Sequence, residues 1–171
     1  MLKLITATIF WTFLFGSPAF GEAWDIKGGA GVVYGSTFRS YEKDGVGFQT
    51  YFDLGLTETL SLTASGGFSS HFVGSGQAYI LANAGAGVLY NIDVLVIVPF
   101  VSLRLGWLYQ NFETEVATHG LGISVAVGFD YLVTEYFTVG FAAEYHGMLT
   151  DFNAFPAYLA CTTRIGFRLP D

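Results

Sequence analysis

The sequence predicts an all-β fold, specifically a transmembrane up-and-down antiparallel β-barrel of eight strands. Three observations predict it. The composition is strongly apolar without a spanning helix, apolar and polar residues alternate from 24 to 169, and the segments between the alternating runs are long and short by turns.

Of 171 residues, 52% are hydrophobic and 18% aromatic, while only 12% are charged. The mean hydropathy is +0.49. An apolar load of this size points to lipid, yet the longest uncharged aliphatic run beyond the N-terminus is Val94–Val101, and Pro99 interrupts it. A spanning helix needs about 20 apolar residues. A chain that enters lipid without such helices must satisfy its backbone by closing a sheet on itself.

The N-terminus predicts export. Met1-Leu2-Lys3 forms a short positive segment and Leu4–Phe15 an apolar one. Ser17-Pro18-Ala19-Phe20-Gly21 then places small residues at the two positions a signal peptidase reads. Residues 1–21 are therefore expected to be a signal peptide, with the barrel over 22–171. The formal charge of −7 becomes −8 when Lys3 leaves, which argues against a nucleic-acid partner. The single cysteine, Cys161, has no partner for an intramolecular disulfide and falls on the apolar parity of its strand.

Period-two alternation places strands at about 24–34, 46–56, 60–68, 77–90, 94–109, 119–131, 136–146 and 157–169. Three links read as tight: Thr57–Thr59, Asn91–Asp93 and the turn around Leu132–Glu135. Four read as longer: Gly35–Gly45, Ser69–Gly76, Gln110–Thr118 and Gly147–Pro156. Short turns at one rim and long loops at the other are what a membrane barrel shows. That pattern places both ends of the mature chain on the periplasmic side of a bacterial outer membrane. The loops carry Arg39, Glu42, Lys43, Asp44, Glu113, Glu115 and Asp151, an acidic balance that spells no ligand.

One parity of every strand is free of charge, from Ile26, Val32 and Phe48 through Leu103, Val127 and Ile165. The other carries four acids (Asp25, Asp53, Asp130, Glu144) and four bases (Lys27, Arg104, Arg164, Arg168), with Gln49, Asn83, Ser124, Thr162 and many glycines among them. An Arg or Lys at mid-depth on a lipid face costs about 2–4 kcal/mol. The clean parity is thus expected to face lipid and the balanced charges to pair inside the lumen. Trp24, Tyr90, Tyr131 and Phe167 near one end, and Tyr34, Trp107, Tyr109 and Tyr145 near the other, are expected to form two interfacial girdles.

Several local stretches support a resemblance. Pro99-Phe100-Val101-Ser102-Leu103-Arg104-Leu105-Gly106-Trp107 is similar to the P-Y-x-x-x-G-x-G strand of small outer-membrane barrels. Gly120-Leu121-Gly122 leads a later strand, and Phe155–Tyr158 through Arg164–Leu169 is similar to their closing strand. The chain resembles the superfamily of eight-stranded outer-membrane barrels that includes the OmpA transmembrane domain, OmpX and OmpW. The resemblance implies outer-membrane lipid and lipopolysaccharide as surroundings, and insertion machinery reading the C-terminal strand. The end departs from the family pattern, since Leu169-Pro170-Asp171 stands where an aromatic residue is usual. No peptidoglycan-binding domain of the OmpA kind is expected.

No motif for catalysis, metal or cofactor is present. H-E-x-x-H, a phosphate loop and G-x-S-x-G are absent, and Gly85-Ala86-Gly87 lacks a third glycine and lies in a strand. His71, His119 and His146 all map to the extracellular rim, where they are read as interfacial polar residues. A His with Ser69 or Ser70 and an acid such as Glu144 has the residue types for acyl transfer. However, His119-Gly120-Leu121 and His146-Gly147-Met148 do not match the H-x-S motif of barrel deacylases. The expectation is a non-enzymatic, plugged, monomeric barrel serving envelope integrity or surface interaction; the alternatives are a narrow porin-like channel and a lipid-modifying enzyme.

Overall fold

The computed structural model describes residues 25–37, 42–73, 78–92, 96–112, 117–150 and 157–169. The expected signal peptide, Trp24 and most loop charges lie outside these residues. Eight strands form, β1 (Ile26–Thr37), β2 (Glu42–Gly55), β3 (Leu60–Val73), β4 (Ala78–Asn91), β5 (Ile97–Phe112), β6 (Thr118–Leu132), β7 (Phe137–Met148) and β8 (Tyr158–Leu169). Each pairs antiparallel with its sequence neighbour, and β1 closes on β8 to complete the barrel.

Closure runs the length of the seam, from Ile26 opposite Leu169 to Thr37 opposite Tyr158. Both ends of the barrel segment therefore share one rim, the terminal rim, with the turns at 56–59 and 133–136. Those turns use the same device. Leu56 and Thr57 N–H donate to Leu60 C=O at 2.8 and 3.1 Å, and Val133 and Thr134 N–H donate to Phe137 C=O at 3.0 and 3.2 Å. The Thr57 hydroxyl oxygen accepts the Leu60 N–H at 3.0 Å and Thr134 accepts the Tyr136 N–H at 3.3 Å, so each threonine satisfies a donor the ladder leaves open.

Several strands run further than alternation suggested at the far rim, while at the terminal rim β5 begins at Ile97 rather than at 94. β1 continues to Thr37, β2 starts at Glu42, β3 reaches Val73 and β5 reaches Phe112. Three links expected to be long shorten to 38–41, 74–77 and 113–117, while 149–157 stays the longest of the four. The difference has a simple cause. Gly35-Ser36-Thr37 and Ser69-Ser70-His71 lack the apolar members that reveal a lipid-facing strand, but the backbone ladder continues through them all the same.

The parity reading is retained on every strand. Val32, Phe68, Leu105, Val127 and Ile165 point outward and are exposed, as are the aromatics Tyr34, Trp107, Tyr131, Tyr145 and Phe167. Tyr90 and Tyr109 share that face but are half-buried. Tyr136, in a terminal-rim turn, and Phe72, near the far rim, add exposed rings at the two ends. Asp53, Arg104, Asp130, Glu144 and Arg164 point inward and are buried. A soluble barrel reverses this order, so the exterior is suited to lipid rather than to water. No helix among the described residues is long and apolar enough to cross a membrane.

Val127, 53% exposed near the middle of β6, tests the outward face. Val127→Arg is expected to destabilise the barrel by about 2–4 kcal/mol, measured by urea unfolding in lipid vesicles.

Candidate functional site

The lumen holds the chain's buried polar chemistry, arranged in tiers from the terminal rim to the far rim. In the first tier Arg168 Nε donates to Asp25 Oδ2 at 2.6 Å, with a second contact from its Nη2. Deeper, Arg164 grips Asp130 as a fork, Nε to Oδ1 at 2.8 Å and Nη2 to Oδ2 at 2.6 Å, while Lys27 donates to the same carboxylate. The Arg164 guanidinium lies between two rings, 4.4 Å from the centre of Tyr51 and 4.1 Å from that of Phe100. Such stacking suits the weakly hydrated guanidinium in a way a lysine ammonium could not match.

Glycine makes this node fit. Asp130, Gly140 and Arg164 stand in a row across β6, β7 and β8, so the ion pair crosses directly above Gly140. A Cβ there would lie 2.1 Å from Asp130 Oδ1 and 2.5 Å from the Phe129 carbonyl oxygen. Tyr51 similarly lies across the paired Gly29 and Gly166, whose added Cβ atoms would meet its hydroxyl at 2.5 and 2.3 Å.

Glu144 organises the second tier. Its Oε2 takes Arg104 Nη2 at 2.6 Å and Gln49 Nε2 at 3.0 Å, and its Oε1 lies 3.3 Å from His146 Nε2. Gln49 Oε1 accepts the Thr162 hydroxyl at 3.1 Å, and Arg104 Nη1 donates to Ser65. His146 Nδ1 lies 2.9 Å from Ser124 Oγ, and its ring stacks on Tyr158 at 4.4 Å. Tyr158 oxygen accepts from Asn83 Nδ2 at 3.1 Å.

The third tier is largely apolar. Val33, Tyr79, Leu81, Leu108, Met148, Tyr158 and Ala160 form one buried cluster inside the far half of the barrel. His71 lies among them, 2.8 Å from Ser69 Oγ and stacked on Tyr79 at 5.0 Å.

The histidines differ from the sequence reading. His71 and His146 are not rim residues: they are 0% and 1% exposed and point into the lumen. His71 belongs to β3 and His146 to β7; His146 shares the inward parity of a predicted lumen residue, Glu144, and His71 that of Ser69, which the sequence reading placed in a loop. That parity was the available signal. His119 faces outward and stacks on Trp107 at 5.3 Å. The three are thus dispersed, and among the described residues no group of His, Cys, Asp and Glu gathers as a metal site. Of the eight predicted lumen charges, seven meet in three ion-paired groups: Asp25–Arg168, Lys27–Asp130–Arg164 and Arg104–Glu144. Asp53 is buried but joins none of them. The large inward-facing side chains Tyr51, Tyr79, Phe100, Leu108 and Tyr158 were not singled out from the sequence. They sit at inward positions that alternation marks as polar only on average.

Cavities interrupt the packing. One, about 650 Å³ with part of it open to solvent, is the mouth at the terminal rim lined by Asp25, Lys27, Asp53, Ser61, Asn91 and Arg168. Spaces of about 340, 210 and 230 Å³ lie deeper, and none of these is lined from both rims.

Solved structures share this architecture. Neisserial surface protein A is similar with a TM-score of 0.65 at 14% identity, covering 88% of this chain and 98% of its own. Ail, the attachment invasion locus protein of Yersinia pestis, in complex with the heparin analogue sucrose octasulfate, gives 0.60 at 12%, covering 87% and 100%. The outer-membrane enzyme PagL gives 0.53 at 13%, covering 84% and 99%. The fold is that of the small eight-stranded outer-membrane barrels. No family model and no curated protein sequence matches the chain.

Ser124, His146 and Glu144 are linked as a hydroxyl, an imidazole and a carboxylate, the parts of an acyl-transfer triad. Their setting is different from that of a catalytic one. Glu144 is already held by Arg104 and Gln49, His146 is fully covered, and Ser124 lines a small space of about 210 Å³ with Arg104, Asn83 and Leu108.

Asp130→Asn leaves Arg164 and Lys27 facing a neutral amide in a buried setting. It is expected to cost about 3–5 kcal/mol in urea unfolding, whereas Asp25→Asn at the open mouth costs about 1 kcal/mol or less.

Proposed function

We propose that this chain is a non-enzymatic integral outer-membrane barrel whose role is structural or surface-interacting, exercised at its far rim. The observation that carries the proposal is the filled lumen: ion pairs, a hydrogen-bonded middle and an apolar cluster stand in series between the rims. A barrel of eight strands has an interior just wide enough for side chains. Function then falls to the rim and the outer wall.

The N-terminal segment 1–21, read as a signal peptide, supports delivery through the periplasm, and the fold's solved examples support the outer membrane as destination. In that setting the terminal rim faces the periplasm and the far rim the cell exterior. Outer-membrane lipid and lipopolysaccharide cover the apolar wall, insertion machinery reads β8, and the barrel works as a monomer. The described far-rim residues include Asp44, which accepts from the exposed Tyr34 hydroxyl. Ail's complex with a heparin analogue shows that a barrel of this fold can take a partner.

Two experiments test the assignment against its alternatives. Heat-modifiable migration in detergent gels and recovery with outer membranes are expected; an unshifted band in the soluble periplasm overturns the barrel reading itself. Purified barrel in planar bilayers is expected to show no conductance steps, and regular steps replace the proposal with the narrow channel.

The lipid-modifying alternative is tested at Ser124. A fluorophosphonate probe is expected to leave the folded barrel unlabelled, and labelling lost in Ser124→Ala identifies a reactive serine and overturns the non-enzymatic reading.

A further inference from the structure

Two of the deeper spaces in the lumen meet at one side chain. Arg104 lines both the space of about 340 Å³ and that of about 210 Å³. The residue is 6% exposed, and two of its three guanidinium nitrogens are engaged, Nη1 with Ser65 and Nη2 with Glu144 at 2.6 Å. Its Nε is buried and has no hydrogen-bond partner. A charged donor left without an acceptor at this depth carries its full desolvation penalty.

The walls around Arg104 are of mixed character. In the larger space its polar company is Gln49, Thr63, Ser102 and Glu144, and the apolar part is the buried cluster of Leu89, Phe100 and Ala142. In the smaller space it is joined by Ser65, Asn83 and Ser124. Ser102 stands two residues before Arg104 on β5, shares its inward parity and is buried. Glu144 Oε1 has His146 Nε2 at 3.3 Å and, as a carboxylate oxygen, room for a second donor. A water molecule takes up about 30 Å³ of liquid, so either space has room for one. Cavities that stay dry are lined by apolar groups, whereas a polar space that offers two to four partners holds water.

We propose that the waist of the lumen is a water-binding site, in which bound water accepts the Arg104 Nε hydrogen and donates to Glu144, with Ser102 beside it. Water held there completes the hydrogen bonding of the guanidinium and lowers the cost of burying the Arg104–Glu144 pair. An anion fits less well, because Glu144 already balances Arg104 and Asp130 balances Arg164. An apolar guest fits less well too, since it would leave the Nε hydrogen without an acceptor. The site lies between the Asp130–Arg164 node and the apolar cluster of the far half, so the plug is wet at its middle. Water held at Arg104 is compatible with a closed lumen and with a narrow channel, and the inference does not depend on the role of the far rim.

The test uses the isotope-labelled chain folded in lipid nanodiscs, with NMR recording cross-peaks from the water resonance to the Arg104 Nε hydrogen and to the Ala126 and Ala142 methyl groups. Both alanines are buried and line the larger space. Cross-peaks are expected at all three positions and not at the methyl groups of Leu81 and Met148 in the apolar cluster. They are expected to persist in the double variant Ser102→Ala, Thr63→Val, which removes hydroxyls that relay water signals by exchange. Ser102→Val fills the space and is expected to abolish them at Ala126 and Ala142. Absence of cross-peaks in the unaltered chain, or saturable shifts of the Ala142 methyl with xenon, means a dry space and overturns the proposal. Loss of the cross-peaks in the double variant means hydroxyl exchange alone and overturns it equally. A shift of the Arg104 Nε hydrogen when chloride is replaced by gluconate identifies an anion as the occupant, which also overturns it. The unaltered chain with and without xenon decides the matter even where a variant fails to fold, a failure the heat-shift gel detects.

Discussion

The seam between β1 and β8 is the constraint from which the rest of the structure follows. In lipid no water is available to an unpaired N–H or C=O, so the sheet has to close, and these two strands pair from Ile26–Leu169 to Thr37–Tyr158. Closing at eight strands sets a narrow radius. Inward residues of opposite strands then meet, which is how Lys27 on β1 reaches Asp130 on β6 and Gln49 on β2 reaches Glu144 on β7. The same narrowness demands glycine beneath Tyr51 and beneath the Asp130–Arg164 pair.

The lumen is graded rather than uniform. Charge is densest toward the terminal rim, hydrogen-bonded side chains occupy the middle, and the far half is an apolar cluster with two buried histidines. Beyond the Asp130–Arg164 node stand first the Glu144 network and then the apolar cluster, so the polar groups are matched among themselves along the axis. The gradient also explains how a Ser–His–Glu array can be structural: Glu144 balances Arg104, His146 bridges Glu144 to Ser124, and every link satisfies a polar group that would otherwise be buried alone.

Much of this was legible in the residues. Eight strands, their order and the face of each side chain follow from a period of two, because a one-residue slip would expose Arg104 or Asp130 to lipid. The tight turns at 56–59 and 133–136 were legible from their polar residues. Strand ends at the far rim were not, since Gly35–Thr37 and Ser69–His71 continue the ladder without an apolar alternate to mark it. That misreading of length carried His71 into a loop and left both it and His146 at the rim, although their parity already placed them inside.

By itself the sequence determined a barrel with an uncharged wall and a lumen of four acids and four bases, because alternation and charge are properties of each strand taken alone. Which charge meets which was decided only by the tertiary structure. Pairing across a closed barrel depends on radius, register and the height of each residue along the axis, and these arise from all eight strands at once. The sequence counted Asp53 among balanced charges; the fold turned Lys27 toward Asp130, and so left Asp53 buried outside the three ion-paired groups.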